Sequence, residues 1–257
     1  MTPDPVRPRA FADHFSRDPA AYARFRPRYP DALFAWLGSL ARPGTAWDCG
    51  TGNGQAAVPL AHHFQVVLAS DPSVGQLRAA ERAAGVHYFA ATGEAAPIRT
   101  GSVDLITIAQ ALHWIDVGRL VAEAGRILAP DGAMAVVGYG ILEMDPPFDG
   151  LVNRFYHETV GPYWPAERRI VEEGYRSVPL PIDEVTPPPL AMEAALTLEG
   201  LTGYIRTWSA VGRYLKKERS DPVVQLEPEL ARLWGDPETP RRVRWPLAIR
   251  AGRWVRA

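Results

Sequence analysis

The chain has 257 residues, 47% hydrophobic and 22% charged. These fractions are those of an ordinary soluble globular protein, and they exclude extended disorder, a collagen-like rod and a long coiled coil. Twenty-eight Lys and Arg oppose 29 Asp and Glu, a formal net charge of −1, so no global positive field draws the chain to nucleic acid or an anionic membrane. Cys49 is the only cysteine, which rules out an intramolecular disulfide and a cysteine-rich zinc site, and no metal site is expected. The first thirty residues lack the apolar core of a signal peptide and no apolar run reaches membrane-spanning length, so the expected setting is the cytoplasm.

Pro30 suits the first turn of a helix in which Leu33, Phe34, Leu37 and Leu40 share one face. Arg42-Pro43-Gly44 ends it. A strand is expected at 45–48, then a glycine-rich turn and a helix over 56–64. Residues 65–70 read as a buried strand ending at Asp71, and Ser73 as the N-cap of a helix over 74–84 that Gly85 stops. Strands at 86–91 and 103–109, a helix at 117–128 and a strand at 133–137 follow. Strands alternating with helices over short connections predict an α/β fold, with parallel strands and crossover helices forming a doubly wound, Rossmann-like sheet.

After Gly140 the rhythm changes. Helical stretches are expected at 148–160, 165–175, 198–217 and 223–234. Residues 185–197 read as a strand whose Pro187-Pro188-Pro189 can only be an edge or lead-in. In 242–251, Val243, Trp245, Leu247 and Ile249 alternate with Arg244, Pro246, Ala248 and Arg250, the pattern of a two-sided strand. The expected organisation is an N-terminal covering segment (1–29), a cofactor-binding core (30–140), a helical lid (141–184), and C-terminal strands with inserted helices that complete the sheet (185–257).

The richest stretch is Asp48-Cys49-Gly50-Thr51-Gly52-Asn53-Gly54-Gln55, where a strand runs through three glycines into a helix. Glycines are required where backbone takes positive φ or approaches a ligand, and the helix start behind them offers unpaired N–H groups. Asp71, at the end of the second strand, is placed for ribose hydroxyls. A dinucleotide fingerprint wants G-x-G-x-x-G/A, and its third position here is Gln55. An NAD(P)-dependent oxidoreductase therefore ranks below a ligand with one adenosine and a carboxylate.

With these motifs in order, the sequence resembles the class I S-adenosylmethionine-dependent methyltransferases. Within them it is similar to the small-molecule group that includes trans-aconitate methyltransferase-like proteins. Asp48-x-Gly50-x-Gly52-x-Gly54 matches the family's first motif and Ala69-Ser70-Asp71-Pro72-Ser73 its second. Gly93-Glu94-Ala95-Ala96-Pro97 matches the loop along the adenine, residues 102–114 the fourth strand and its turn, and residues 126–133 the R-x-L-x-P-G-G turn, with Asp131 replacing the first glycine. The leader 22–30, the stretch 163–169 and the stretch 204–210 continue the likeness more weakly.

The resemblance implies a seven-stranded sheet with its last strand antiparallel, S-adenosyl-L-methionine as cofactor, and methyl transfer to a small molecule through a carboxylate or hydroxyl. Cofactor contacts are expected from Arg26, Tyr29, Asp48, Gly50, Gly52, Asn53, Gly54, Asp71, Pro72, Gly93, Glu94, Ala95 and Gln110. His113, just beyond the fourth strand, is the candidate base. Trp114, Tyr156, Tyr163, Trp164 and Arg168 are the candidate substrate contacts, an aromatic wall with an arginine suited to a flat or carboxylated molecule. A non-catalytic protein that holds S-adenosylmethionine or S-adenosylhomocysteine is the main alternative.

Overall fold

The computed structural model describes residues 25–256; the expectations for residues 1–24 lie outside them. Helix α1 (Asp31–Ser39) follows Pro30 and buries Leu33, Phe34 and Leu37. Strand β1 (Thr45–Cys49), the short helix α2 (Ala57–Leu60), β2 (Val66–Asp71), α3 (Val74–Arg78) and β3 (Val86–Ala90) make the first half of the winding. Then come β4 (Val103–Ala109), α4 (Val117–Ile127) and β5 (Leu128–Tyr139). The rest is α5 (Pro146–Arg154), α6 (Arg168–Glu172), β6 (Ile182–Glu184), β7 (Ala191–Leu196), α7 (Leu198–Arg206), α8 (Ser209–Glu218), α9 (Val223–Trp234) and β8 (Arg241–Trp254).

The sheet runs β3-β2-β1-β4-β5-β8-β6, with β7 also paired to β8. The strands from β3 to β5 are parallel, and β8 is antiparallel to β5 in the register Ala133↔Arg253 to Tyr139↔Leu247. The strand expected at 185–197 is found as β7 alone, and β6 precedes it. β6 and β7 pair with opposite ends of β8, at Gly252–Trp254 and Arg241–Pro246. Between them lie three prolines that have no N–H to give to a ladder.

Successive residues of the central strands feed opposite faces. Leu105, Ala133, Ala135 and Val137 join one core with α1, α5 and α7–α9. Ile106, Ile108, Met134 and Val136 join the other with α4 and with Val171, Tyr175 and Val178. Each fully buried aliphatic of this kind contributes roughly 1.5–3 kcal/mol. The stretch expected as one lid is thus shared: 148–160 packs on the first face and 171–178 on the second.

The helix expected at 198–217 is two, broken at Thr207-Trp208, and that at 165–175 is only Arg168–Glu172. The two helices beside the glycine loop are also shorter than their periodicity predicts. Beyond Leu60 the chain tightens into three-residue turns, with Ala61, His62 and His63 N–H groups bonding Val58, Pro59 and Leu60 carbonyls. Ser73 does cap α3, accepting from the Gln76 amide at 3.3 Å, but the Glu81 amide bonds the Asn53 carbonyl at 3.1 Å and draws the chain back to the glycine loop. Three of the C-terminal arginines are matched by acids: Arg242 by Glu193, Arg244 by Glu143 and Arg250 by Glu184. No helix among the described residues is long and apolar enough to cross a membrane.

Candidate active site

The parallel order puts the loops after β1, β2, β3 and β4 at one edge of the sheet, where open α/β sheets bind ligands. In the first loop Gly50, Gly52 and Gly54 all have positive φ, +73°, +56° and +90°. A side chain at Gly50 would meet the Ala111 Cβ at 2.6 Å, and one at Gly54 would run into the Tyr88 hydroxyl. At Gly52, among the described residues, it would meet only Gln76 Oε1, at 4.0 Å. Two glycines therefore let the protein close on itself, while the middle one leaves open space above the backbone. That open cradle, beside an acidic strand end, fits an adenosine-bearing cofactor.

Asp71 holds the loop in place. Its Oδ2 accepts the Gly52 amide at 2.9 Å and its Oδ1 the Ser73 amide at 2.8 Å. Asp48 lies beneath, 1% exposed. Its Oδ2 accepts the Thr51 hydroxyl at 2.6 Å and its Oδ1 the Thr107 hydroxyl at 3.0 Å. Burial raises its carboxyl to about 6, although the hydroxyl bonds oppose that shift. Asp48 thus faces the loop's underside and braces it against β4, while Asp71 stands at the open edge. Cys49 is buried below Gly93, and burial pushes its thiol up, so it packs as a small apolar residue.

Among the other expected cofactor residues, Glu94 accepts the Asp116 amide at 2.9 Å and so ties the loop after β3 to the start of α4. Ala95 is exposed and closes a small bridge with Thr92; Pro72 and Asn53 are half-buried in their loops. Gln110 has a φ of +53°, uncommon for a residue with a side chain. Its carboxamide Nε2 donates to the Tyr139 carbonyl at 3.0 Å, so the strained turn is clamped to the end of β5. Tyr29 is buried edge-on to Phe34 and Tyr139. Arg26 donates to the Tyr139 hydroxyl at 2.9 Å and the Thr207 carbonyl at 3.1 Å, over the Tyr204 ring.

Next to Gln110 opens a cavity of about 60 Å³. The core supplies Gln110, His113, Trp114 and Gly140; residues 141–168 supply Ile141, Tyr156, Trp164, Pro165 and Arg168; the last section supplies Tyr204, Trp208 and Ser209, and Arg26 completes the lining. Among the described residues, no aspartate or glutamate lines it. Tyr156 sits in a wide π turn over Phe155–Thr159 that ends α5, a backbone form common at functional sites.

His113 Nδ1 lies 3.2 Å from the Tyr175 hydroxyl. Burial, with the charge of Arg168 adding to it, lowers the imidazole to about 3, so it is neutral at physiological pH. Tyr175 is fully buried, and burial raises its phenol well above the ordinary value, so it keeps its proton. Arg168 is enclosed, with its guanidinium 5.0 Å from the Trp164 ring centroid and 5.8 Å from that of Tyr156. Its Nε donates to the Tyr156 hydroxyl at 2.8 Å, and that hydroxyl donates to Glu172 Oε1 in a short bond.

Four of the five expected substrate contacts, Trp114, Tyr156, Trp164 and Arg168, line this cavity; Tyr163 does not. Its hydroxyl turns outward to Glu218 at 2.7 Å and its ring packs at a tilt on Tyr214, because the turn at Gly161–Tyr163 points successive aromatics apart. His157 is exposed. Sequence reasoning overlooked Tyr139, Glu172, Tyr204, Trp208 and Ser209, and took Tyr175 only as one aromatic of the substrate cover. Tyr204, Trp208 and Ser209 lie in a weakly matching stretch whose pocket role no periodicity announces.

A methyltransferase domain family matches residues 47–136. A curated Dictyostelium discoideum protein described as a methyltransferase is 30% identical over 91% of this chain and 91% of its own length. A Saccharomyces cerevisiae protein described as an S-adenosylmethionine-dependent methyltransferase is 32% identical over 45% of this chain and 43% of its own. A solved structure from Anaeromyxobacter dehalogenans, described as a type II methyltransferase, is 45% identical, with a TM-score of 0.84, over 89% of this chain and 98% of that one. With the full-length relative, the matched domain and the open glycine cradle in agreement, the chain belongs to the class I S-adenosylmethionine-dependent methyltransferases.

Proposed function

We propose that this enzyme methylates a small carboxylic acid on a carboxylate oxygen. The observation that carries this reading is the composition of the cavity: the guanidinium of Arg168 and, among the described residues, no acidic residue to serve as a base. S-adenosylmethionine, when bound, supplies an electrophilic methyl group. A carboxylate is already ionised at neutral pH and attacks without losing a proton, whereas a hydroxyl needs a base. Positive charge and indole walls favour a carboxylated molecule over a neutral alcohol.

His113 suits hydrogen-bond donation better than the base role its position suggests. The buried Tyr175 hydroxyl needs an acceptor, and His113 Nδ1 is the partner within reach. When the hydroxyl donates to Nδ1, the imidazole proton sits on Nε2, available to a carboxylate oxygen. Orientation then does most of the chemistry, and well-aligned reactants can lower a barrier by roughly 7–11 kcal/mol. We assign cofactor contacts to the glycine loop, Asp71 and Gln110, with Arg26 toward the cofactor carboxylate. The segments 1–29 and 141–184 act as cover, supported by the position of Arg26 and by the five lining residues drawn from 141–168.

The test is melting temperature measured in parallel with S-adenosylmethionine, S-adenosylhomocysteine, NAD and NADP, followed by turnover of small acids and their primary amides. A ligand at a hundred times its dissociation constant adds about 2.7 kcal/mol, a shift of a few degrees at this size. Shifts with the two sulfur ligands alone, and methylation of an acid but not its amide, support the reading. Methylation of the amide as readily as the acid defeats it.

A further inference from the structure

We propose that Glu172 is a positioning residue for acceptor recognition: through the Tyr156 hydroxyl it fixes the guanidinium of Arg168 so that its two terminal amino groups meet an anionic group of the acceptor. This rests on the carboxylate reading above. The three residues form a chain in which each bond sets the next. The Tyr156 hydroxyl has one proton, and it goes to Glu172 Oε1. Its lone pairs are thereby turned toward Arg168, whose Nε donates to the same oxygen at 2.8 Å. With Nε committed there and the guanidinium carbon 5.0 Å from the Trp164 ring centroid, the terminal nitrogens have no hydrogen-bond partner among the described residues. They form the planar fork that carboxylates accept in two parallel bonds.

Glu172 is poorly placed to be an ordinary salt-bridge partner. It stands four residues along the same short helix, 3.9 Å from Arg168 Nε and 41% exposed, beyond hydrogen-bond distance and open to screening by water. Its hydrogen bond is made to Tyr156 instead. The two roles predict opposite signs. As a mere counter-charge, Glu172 weakens anion binding, and its removal makes the cavity more positive and tightens it. As a positioning residue, its removal frees the Tyr156 hydroxyl to rotate, lets Arg168 swing, and loosens anion binding.

The experiment titrates acetate, the smallest carboxylate, into protein saturated with S-adenosylhomocysteine in chloride-free buffer. The readout is the 15N signal of the Arg168 Nε–H. In the unaltered protein this signal is expected to shift saturably with acetate, and in Arg168→Leu saturable binding disappears. Glu172→Ala should broaden the signal and weaken acetate about fivefold, the equivalent of one ordinary hydrogen bond. Glu172→Gln keeps an acceptor oxygen while losing the charge, and should restore affinity to the unaltered value or better. Tyr156→Phe breaks the chain while leaving Glu172, and carries the same expectation if Glu172→Ala does not fold. Acetate binding as tight or tighter in Glu172→Ala overturns the proposal. So does the absence of saturable binding in unaltered protein that still melts higher with S-adenosylhomocysteine; loss of that melting shift as well overturns the cofactor reading along with it.

Discussion

The carboxylate of Asp71 reaches back nineteen residues to the backbone of Gly52, accepting its amide at 2.9 Å. The strand end that faces the ligand edge therefore also sets the shape of the glycine loop through one side chain.

Replacing Asp71 should show that dependence. Asp71→Ala is expected to weaken S-adenosylhomocysteine binding by roughly 1–3 kcal/mol, and to lower stability by leaving the Gly52 and Ser73 amides without their acceptor. Calorimetric titration gives the first quantity and urea unfolding the second. An unchanged affinity would remove Asp71 from the site.

The three glycines should separate into two kinds. Positive φ costs an alanine about 1–2 kcal/mol at either Gly52 or Gly54. At Gly54 the new methyl also collides with Tyr88, whose hydroxyl is bonded to the Glu81 carbonyl, so Gly54→Ala should lose clearly more stability. Gly52→Ala has free space above it and should act chiefly on cofactor affinity. Unfolding curves with and without S-adenosylhomocysteine distinguish them; a Gly52→Ala protein that binds normally contradicts the cradle.

Asp48 and His113 should oppose one another in acid. The folded form holds the Asp48 proton up to about pH 6 against an ordinary value of 3.8, so this residue's contribution to stability falls as pH rises through that window, by up to about 1.4 kcal/mol per pH unit. His113 titrates near 3 when folded and at 6.5 when free, so its contribution is lost as pH falls below 6.5. Relative to the unaltered protein, Asp48→Asn should gain stability as pH rises from 4 to 6, and His113→Gln should gain as pH falls from 6.5 to 4.5. Denaturant midpoints across that range check both signs.

Neighbouring aromatics should differ sharply in function. Tyr163→Phe, altered at an outward hydroxyl, should leave turnover unchanged. Trp164→Ala removes the ring 5.0 Å from the Arg168 guanidinium and should lower turnover on the order of tenfold or more. Equal effects at the two positions would mean that the cavity is not where the acceptor sits.

What could be read from the sequence follows the range of the forces involved. The alternation of apolar strands and capped helices is local, and it located β4 and α9 to the residue; Ser73 was recognisable as a cap from its neighbours alone. The glycine loop and Asp71 were legible because positive φ and close approach demand particular residue types at fixed spacing. The short α3 was not, because a bond from Glu81 to Asn53 ends it across twenty-eight residues. Nor was β6, three residues held as a strand by pairing with the end of β8 that β7 leaves uncovered. The cavity was half legible: Trp164 and Arg168 stood out by type, but the tie from Glu172 through Tyr156 joins α6 to a π turn, and no spacing rule encodes it.

The central claim is transfer to a carboxylate without a base, and the most direct measurement of it uses S-adenosylmethionine labelled in its methyl group. Small carboxylic acids and the alcohols matched to them are assayed side by side between pH 6 and 9. Label is predicted to enter alkali-labile esters of an acid at a rate that does not climb with pH, with none in the alcohols. Transfer of the label to an alcohol, with none to the matched acid, would contradict the claim.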